Sequence, residues 1–132
     1  MLNLFGNDWM SKYKDEWNKD PYLAKKLNEI KFTSTIGYGF PDEPRPRACI
    51  VIKNGYVVEA GNYTGQPLNW DLRAKQTHWE EWINREVSST GLGLAWSTGK
   101  LKFIKGDYKE MIKSPAMSSP FIKSFSAMSR IS

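Results

Sequence analysis

The sequence predicts an α/β protein of the α+β type: one five-stranded, mostly antiparallel sheet covered by helices. Three observations carry that prediction. Apolar residues recur about every four positions up to Ile30 and every two from Phe32 onward. An Asn54-Gly55 pair separates two β-rich runs, the strongest short-range hairpin signal a sequence offers. After Ala74 the pattern turns helical, and one strand-like run returns at 100–105.

The elements follow in order. Trp9, Met10, Tyr13 and Trp17 form the apolar stripe of a first helix, with Asn7 or Asp8 as its cap. Asp20-Pro21 restarts a second helix, Asp20 capping and Pro21 in the first turn, with Tyr22, Leu23, Leu27 and Ile30 on its buried side. In the first strand Phe32, Ser34, Ile36, Tyr38 and Phe40 share one face, and Thr33, Thr35, Gly37 and Gly39 share the other. That small-residue face lets another layer or a ligand approach closely. The proline-rich stretch 41–46 reads as an exposed loop. Strands at 48–52 and 56–58 flank Asn54-Gly55, and a break at 62–65 leads to a strand over 68–74. These four strands are expected to form an antiparallel meander. Thr77 and Glu80 have capping-box spacing ahead of a helix that buries Trp79, Trp82, Ile83 and Val87. The glycine-broken stretch 88–99 reads as a loop with one or two helical turns. In the strand after it, Leu101 and Phe103 face one way and Ile104 the other. Asp107 opens a short helix bearing Tyr108, Met111 and Ile112, which Ser114-Pro115 ends, and Ser119-Pro120 opens a last amphipathic segment.

With 132 residues the chain fits a single domain, 1–132, around one core. Six Trp, six Tyr and six Phe supply large apolar surfaces for that core or for a pocket. The net charge of +5 is spread among acids and reads as a solvated surface, with weak attraction to anionic membranes or acidic partners as the alternative. No dense basic run or zinc-finger spacing supports nucleic-acid binding. The one cysteine, Cys49, lies in an apolar strand and has no disulfide partner within the chain. The start, Met1 to Gly6, lacks the form of a signal peptide, no apolar run reaches bilayer length, and the end, Arg130-Ile131-Ser132, is not a peroxisomal address. The expected location is cytoplasmic.

The residues offer little for catalysis. Metal binding needs clustered ligands, and the single histidine, His78, sits near the start of a helix, expected exposed. There is no Gly-x-Ser-x-Gly elbow, and Gly91, Gly93 and Gly99 do not make a phosphate loop or a dinucleotide fingerprint. No cofactor is implied. Helix capping and solvation account for Asp71, Glu80 and Glu81. The terminal segment interleaves Ser118, Ser119, Ser124, Ser126, Ser129 and Ser132 with Met117, Phe121, Phe125 and Met128. It reads as a marginal helix held by contact, either docked on the sheet or acting as a lid over a ligand.

The Trp70-Asp71 strand, the Trp79/Trp82 helix and Gly99-Lys100-Leu101-Lys102 through Gly106-Asp107 resemble the sterol carrier protein two family. The resemblance covers most of the chain. It implies a sheet-and-helix fold enclosing an apolar tunnel that the C-terminal segment helps to close. Carried over by position, the tunnel would be lined by Trp82, Leu92, Leu94, Trp96, Phe103, Met111, Phe121, Phe125 and Met128. The chain departs from the family pattern at 88–96, where relatives carry a more regular helix, and in its short, serine-rich end.

Three functions follow. The first is reversible, non-catalytic binding and transfer of a fatty-acyl, sterol-like or aromatic hydrophobic molecule. The second is an accessory subunit of a larger enzyme, with the aromatic surface as its interface. The third is a small enzyme for an apolar substrate, with Asp71 or Tyr38 as the first groups to inspect. The partners left open are a hydrophobic ligand, a membrane surface, an enzyme and a second copy of the chain.

Overall fold

A computed structural model describes residues 3–85 and 87–131. Met1, Leu2 and Ser132, which entered the reading of the two ends, lie outside the described residues.

Helix α1 (Asn7–Lys19) buries Trp9, Met10, Tyr13 and Trp17, as its spacing predicts. Its cap differs from expectation. Gly6 holds the N-cap position without a side-chain bond, and the Asn7 side-chain oxygen instead accepts from the Asn62 amide at 2.9 Å, pinning the helix start to the sheet. Asp20 caps the next element by accepting from the Tyr22 amide. A π-helical turn over Pro21–Lys25 then runs into α2 (Lys26–Glu29). The wide turn changes the angle between successive side chains, so the 3.6-residue pattern misplaces two of them. Leu23, Ala24 and Leu27 are buried, whereas Tyr22 and Ile30 are 64% and 43% exposed.

Five strands, β1 (Ser34–Gly39), β2 (Ala48–Lys53), β3 (Tyr56–Asn62), β4 (Trp70–Arg73) and β5 (Lys102–Lys105), are ordered β3-β2-β1-β4-β5. Asn54 and Gly55 have φ of 50° and 90°, the pair of positive values that a tight hairpin turn needs. The expected meander holds only for β1 to β3. The fourth strand lies parallel to β1, pairing Ile36 with Trp70 and Tyr38 with Leu72. Residues 63–69 make the crossing: seven extended residues reach roughly 23 Å, whereas three strand spacings need about 14 Å. This pairing puts Leu72 beside Tyr38 on the core face and Asp71 and Arg73 on the small-residue face of β1. There a Cβ on Gly39 would come within 2.9 Å of Pro46, so glycine lets the loop after β1 lie against the strand.

The later helices correct three expectations. Helix α3 (Gln76–Asn84) starts at Lys75 without a side-chain cap; Glu80 accepts from the Gln76 side chain instead of closing a capping box with Thr77. The stretch read as mostly loop is a helix, α4 (Ser89–Ser97), capped by Ser88. Its glycines weaken it, but burial of Leu92 and Ala95 holds it in place. Asp107 caps α5 (Tyr108–Ile112) as expected, with Ile112 exposed. Ser114-Pro115 is a start rather than a stop. Ser114 accepts from the Ala116 amide, Pro115 takes the first turn, and α6 (Pro115–Ser129) runs on through Pro120.

Ile36, Tyr38, Ile50, Ile52, Val57 and Leu72 face the helices and form the core with α1, α3 and α6. Phe5, which carries no periodic signal, is also buried and rings itself with Trp9, Tyr38, Phe40 and Trp79.

Candidate apolar site between the sheet and the last helix

Helix α6 closes the core over β1, and between them lies an apolar crevice of about 20 Å³, room for roughly one water. Trp17 of α1, Leu27 of α2, and Phe32, Ile36 and Tyr38 at β1 form one side. Met111 of α5 and Met117, Pro120, Phe121 and Ser124 of α6 form the other. Every one of these side chains is uncharged. Pro120 also lines a wider groove, about 580 Å³, between the Tyr22–Ile30 segment and the first turns of α6. As a proline inside a helix it cannot donate to the Ala116 carbonyl, so α6 is weakest where the groove meets the crevice.

The crevice holds a small polar node. The Tyr13 and Tyr38 hydroxyls are 3.2 Å apart, and the nearby Ser124 hydroxyl donates to the Phe121 carbonyl at 2.5 Å. Burial pushes both phenols well above their ordinary range, so both stay protonated. The Trp17 indole N–H is already used, donating to the Gly55 carbonyl at 2.9 Å.

The residues expected to line a tunnel fall into four groups. Met111 and Phe121 line the crevice. Phe125, Trp82 and Phe103 continue from Phe121 through ring contacts: Phe121 to Phe103 and Phe125, and Phe125 to Trp82. Leu92 and Met128 are buried in the core, and Trp96 stacks on Tyr108 at 4.7 Å. Leu94 is 60% exposed and, with Trp82, lines a separate open cavity of about 470 Å³ that also meets Glu81, Arg85 and Lys100. The sequence places Trp17, Leu27, Phe32, Ile36 and Tyr38 on apolar faces of their elements. It held no signal for which helix would cover them.

The groups singled out for chemistry are committed elsewhere. Both carboxylate oxygens of Asp71 accept from Arg73, at 2.6 and 3.0 Å, beneath the loop after β1. His78, expected exposed, is half-buried and stacks on Trp82.

No family model matches the sequence, and no curated protein matches it. Solved structures do. A crystal structure of sterol carrier protein 2 superposes with a TM-score of 0.77 at 13% identity, covering 98% of this chain and 100% of that one. The chain has the sterol carrier protein 2 fold. A second SCP-2-type structure, the Thermus thermophilus protein TT1886 described as possibly a sterol carrier protein, gives 0.70 at 14% identity over 100% of this chain and 92% of that one. A ubiquinone synthesis protein, UbiJ-SCP2, gives 0.59 at 11% identity over 90% and 86%. The resemblance drawn from the Trp70, Trp79/Trp82 and Gly99–Asp107 motifs is therefore correct at the level of the SCP-2 fold. Among the described residues no helix is long and apolar enough to cross a membrane.

Proposed function

We propose that the protein reversibly binds a hydrophobic small molecule between β1 and α6 and performs no chemistry on it. The observation that carries this reading is the uncharged crevice under α6, which shares Pro120 with the open groove outside, in a chain with the sterol carrier protein 2 fold. A crevice of about 20 Å³ takes up such a ligand only if α6 moves away from the sheet. The serine-rich composition of that helix and its internal proline favour such movement. About ten buried methylenes at ~0.8 kcal/mol each would supply the roughly −8 kcal/mol of micromolar binding, before the losses on association. The groove rim carries Lys26, paired with Glu29 at 3.9 Å, and Lys123, and a cytoplasmic role in moving the ligand between sites fits an uncharged crevice reached from such a rim.

A second reading, an accessory subunit of a larger enzyme, is favoured by the exposed Tyr22, Leu94 and Ile104 and by the likeness to a ubiquinone synthesis protein. Native mass spectrometry of the purified protein, with organic extraction of whatever it carries, separates the two. A co-purified apolar compound near one equivalent supports the carrier. An empty protein that also binds no fatty acid or sterol, read by tryptophan fluorescence, rejects the carrier in favour of the subunit.

A further inference from the structure

We infer that the open cavity between α3 and α4 is a second binding site, for a compact organic anion: a carboxylate on an apolar ring or short branched body. The cavity, about 470 Å³, has the size of a small-molecule pocket and shares no lining residue with the crevice under α6, so this site stands apart from the one proposed above. Trp82, Val87, Leu94 and Ala95 supply its apolar wall. Trp82 is 6% exposed and packs at steep angles against Trp79 and Phe125, which closes the cavity behind it. A compact body therefore fits, and a long chain finds no way onward. Leu94 leaves most of its apolar side chain in the open for such a body to cover.

The polar side selects an anion. Arg47, Arg73 and Arg130 each hold a carboxylate, whereas among the described residues Arg85 and Lys100 hold none. Both line the cavity. Glu81 lies four residues before Arg85, the spacing at which a helix pairs opposite charges. Arg85, however, follows the last turn of α3 with φ −130° and ψ 130°, an extended backbone that takes its side chain off the helix face. Its fork of donors is left to bind a ligand carboxylate through two bonds, with Lys100 as a second positive charge. Ser88 accepts from the Gly91 amide and keeps its own proton to donate, whereas Thr98 gives its proton to the Leu94 carbonyl. The two cations outweigh the one acid of the cavity, Glu81, which is exposed and stays hydrated.

The test titrates the purified protein at pH 7.5 with 2-naphthoate, 2-naphthamide and acetate, followed by NMR shifts of its amide and indole N–H signals. Naphthoate is expected to move the Trp82 indole and the amides of 88–98. It should bind about tenfold tighter than the neutral naphthamide, the contribution of one charge-assisted contact. Acetate, with the charge but no apolar body, should bind far more weakly. Arg85→Gln should bring naphthoate down to the affinity of naphthamide, and Leu94→Gln should weaken both by about fivefold. Both side chains are exposed, so both variants are expected to fold. Naphthoate binding no tighter than naphthamide or acetate in the wild type, or unchanged in Arg85→Gln, would overturn the assignment. Shifts confined to Trp17, Tyr38 and Ser124 would place the probe under α6, overturning this site while supporting the other. No binding of either ring probe would overturn it outright.

Discussion

The buried Asp71–Arg73 pair offers the most quantitative test of how the sheet is held. The two side chains are 8% and 4% exposed. Arg73 Nε and Nη2 bind both Asp71 oxygens, and Nη1 donates to the carbonyls of Phe40, at 3.0 Å, and Glu43, at 2.8 Å. One guanidinium thus clamps β4 to the loop that follows β1. Arg73→Met keeps an apolar stem but removes the charge, leaving a buried carboxylate and two carbonyls without their donor. Breaking a buried pair from one side costs about 3–5 kcal/mol, a large part of the 5–15 kcal/mol that holds a typical domain together. Asp71→Leu alone strands the guanidinium and is expected to cost a similar amount. The double variant, with no charge left to strand, is expected to be only about 1–2 kcal/mol less stable than the wild type, the residue being the lost loop bonds. Urea unfolding followed by tryptophan fluorescence gives each value from the midpoint at constant m. The cycle then yields a coupling of several kcal/mol. If the double variant loses the sum of the two single losses, the pair is not a coupled buried unit and the reasoning fails.

Three other perturbations have expected outcomes. At Gly55, φ is 90° and an added Cβ would overlap the Asn28 amide and lie 2.6 Å from the Ala24 carbonyl. Gly55→Ala should therefore cost at least about 3 kcal/mol, seen as a lower thermal midpoint. Arg130 joins the end of α6 to Glu16 at 3.1 Å and Asp20 at 2.9 Å, and Arg130→Ala should cost about 0.5–1 kcal/mol at pH 7, less in high salt. Lys19 first, and then Arg130, hold the Glu16 carboxyl below its ordinary value. A depressed carboxyl contributes stability above its unfolded pKa and loses it as pH falls through the folded one. The gap between wild type and variant should accordingly narrow as pH drops below about 4.3, in urea melts at several pH values. Burial, and then Glu59, push the Cys49 thiol up, so the folded protein should react with a disulfide reagent far more slowly than the unfolded chain. Equal rates would contradict that burial.

The sequence by itself determined the features that depend on neighbouring residues. The helical stripe of Trp9, Tyr13 and Trp17, the Asn54-Gly55 turn and the Asp20 and Asp107 caps are all where local chemistry puts them, because each needs only a few residues in order. Short motifs around Trp70, Trp79 and Gly99 also pointed to the right fold. Where sequence reasoning failed, a distant partner had intervened. Asn7 was drawn from capping α1 to the Asn62 amide, α4 formed despite its glycines because Leu92 and Ala95 found a core, and Ser114-Pro115 began a helix that the sheet could support.

Tertiary structure alone decided that β4 pairs with β1 and that α6 covers Tyr38. It thereby separated Met111 and Phe121, which reach the crevice, from Leu94, which faces outward. An apolar side chain gains as much against one apolar wall as against another, so periodicity says that Ile36, Tyr38 and Phe121 are buried but not what they meet. The choice of partner is made by the few directional contacts that fit in only one arrangement: the Arg73 clamp, the Trp17 bond to Gly55 and the Tyr13–Tyr38 hydroxyl pair.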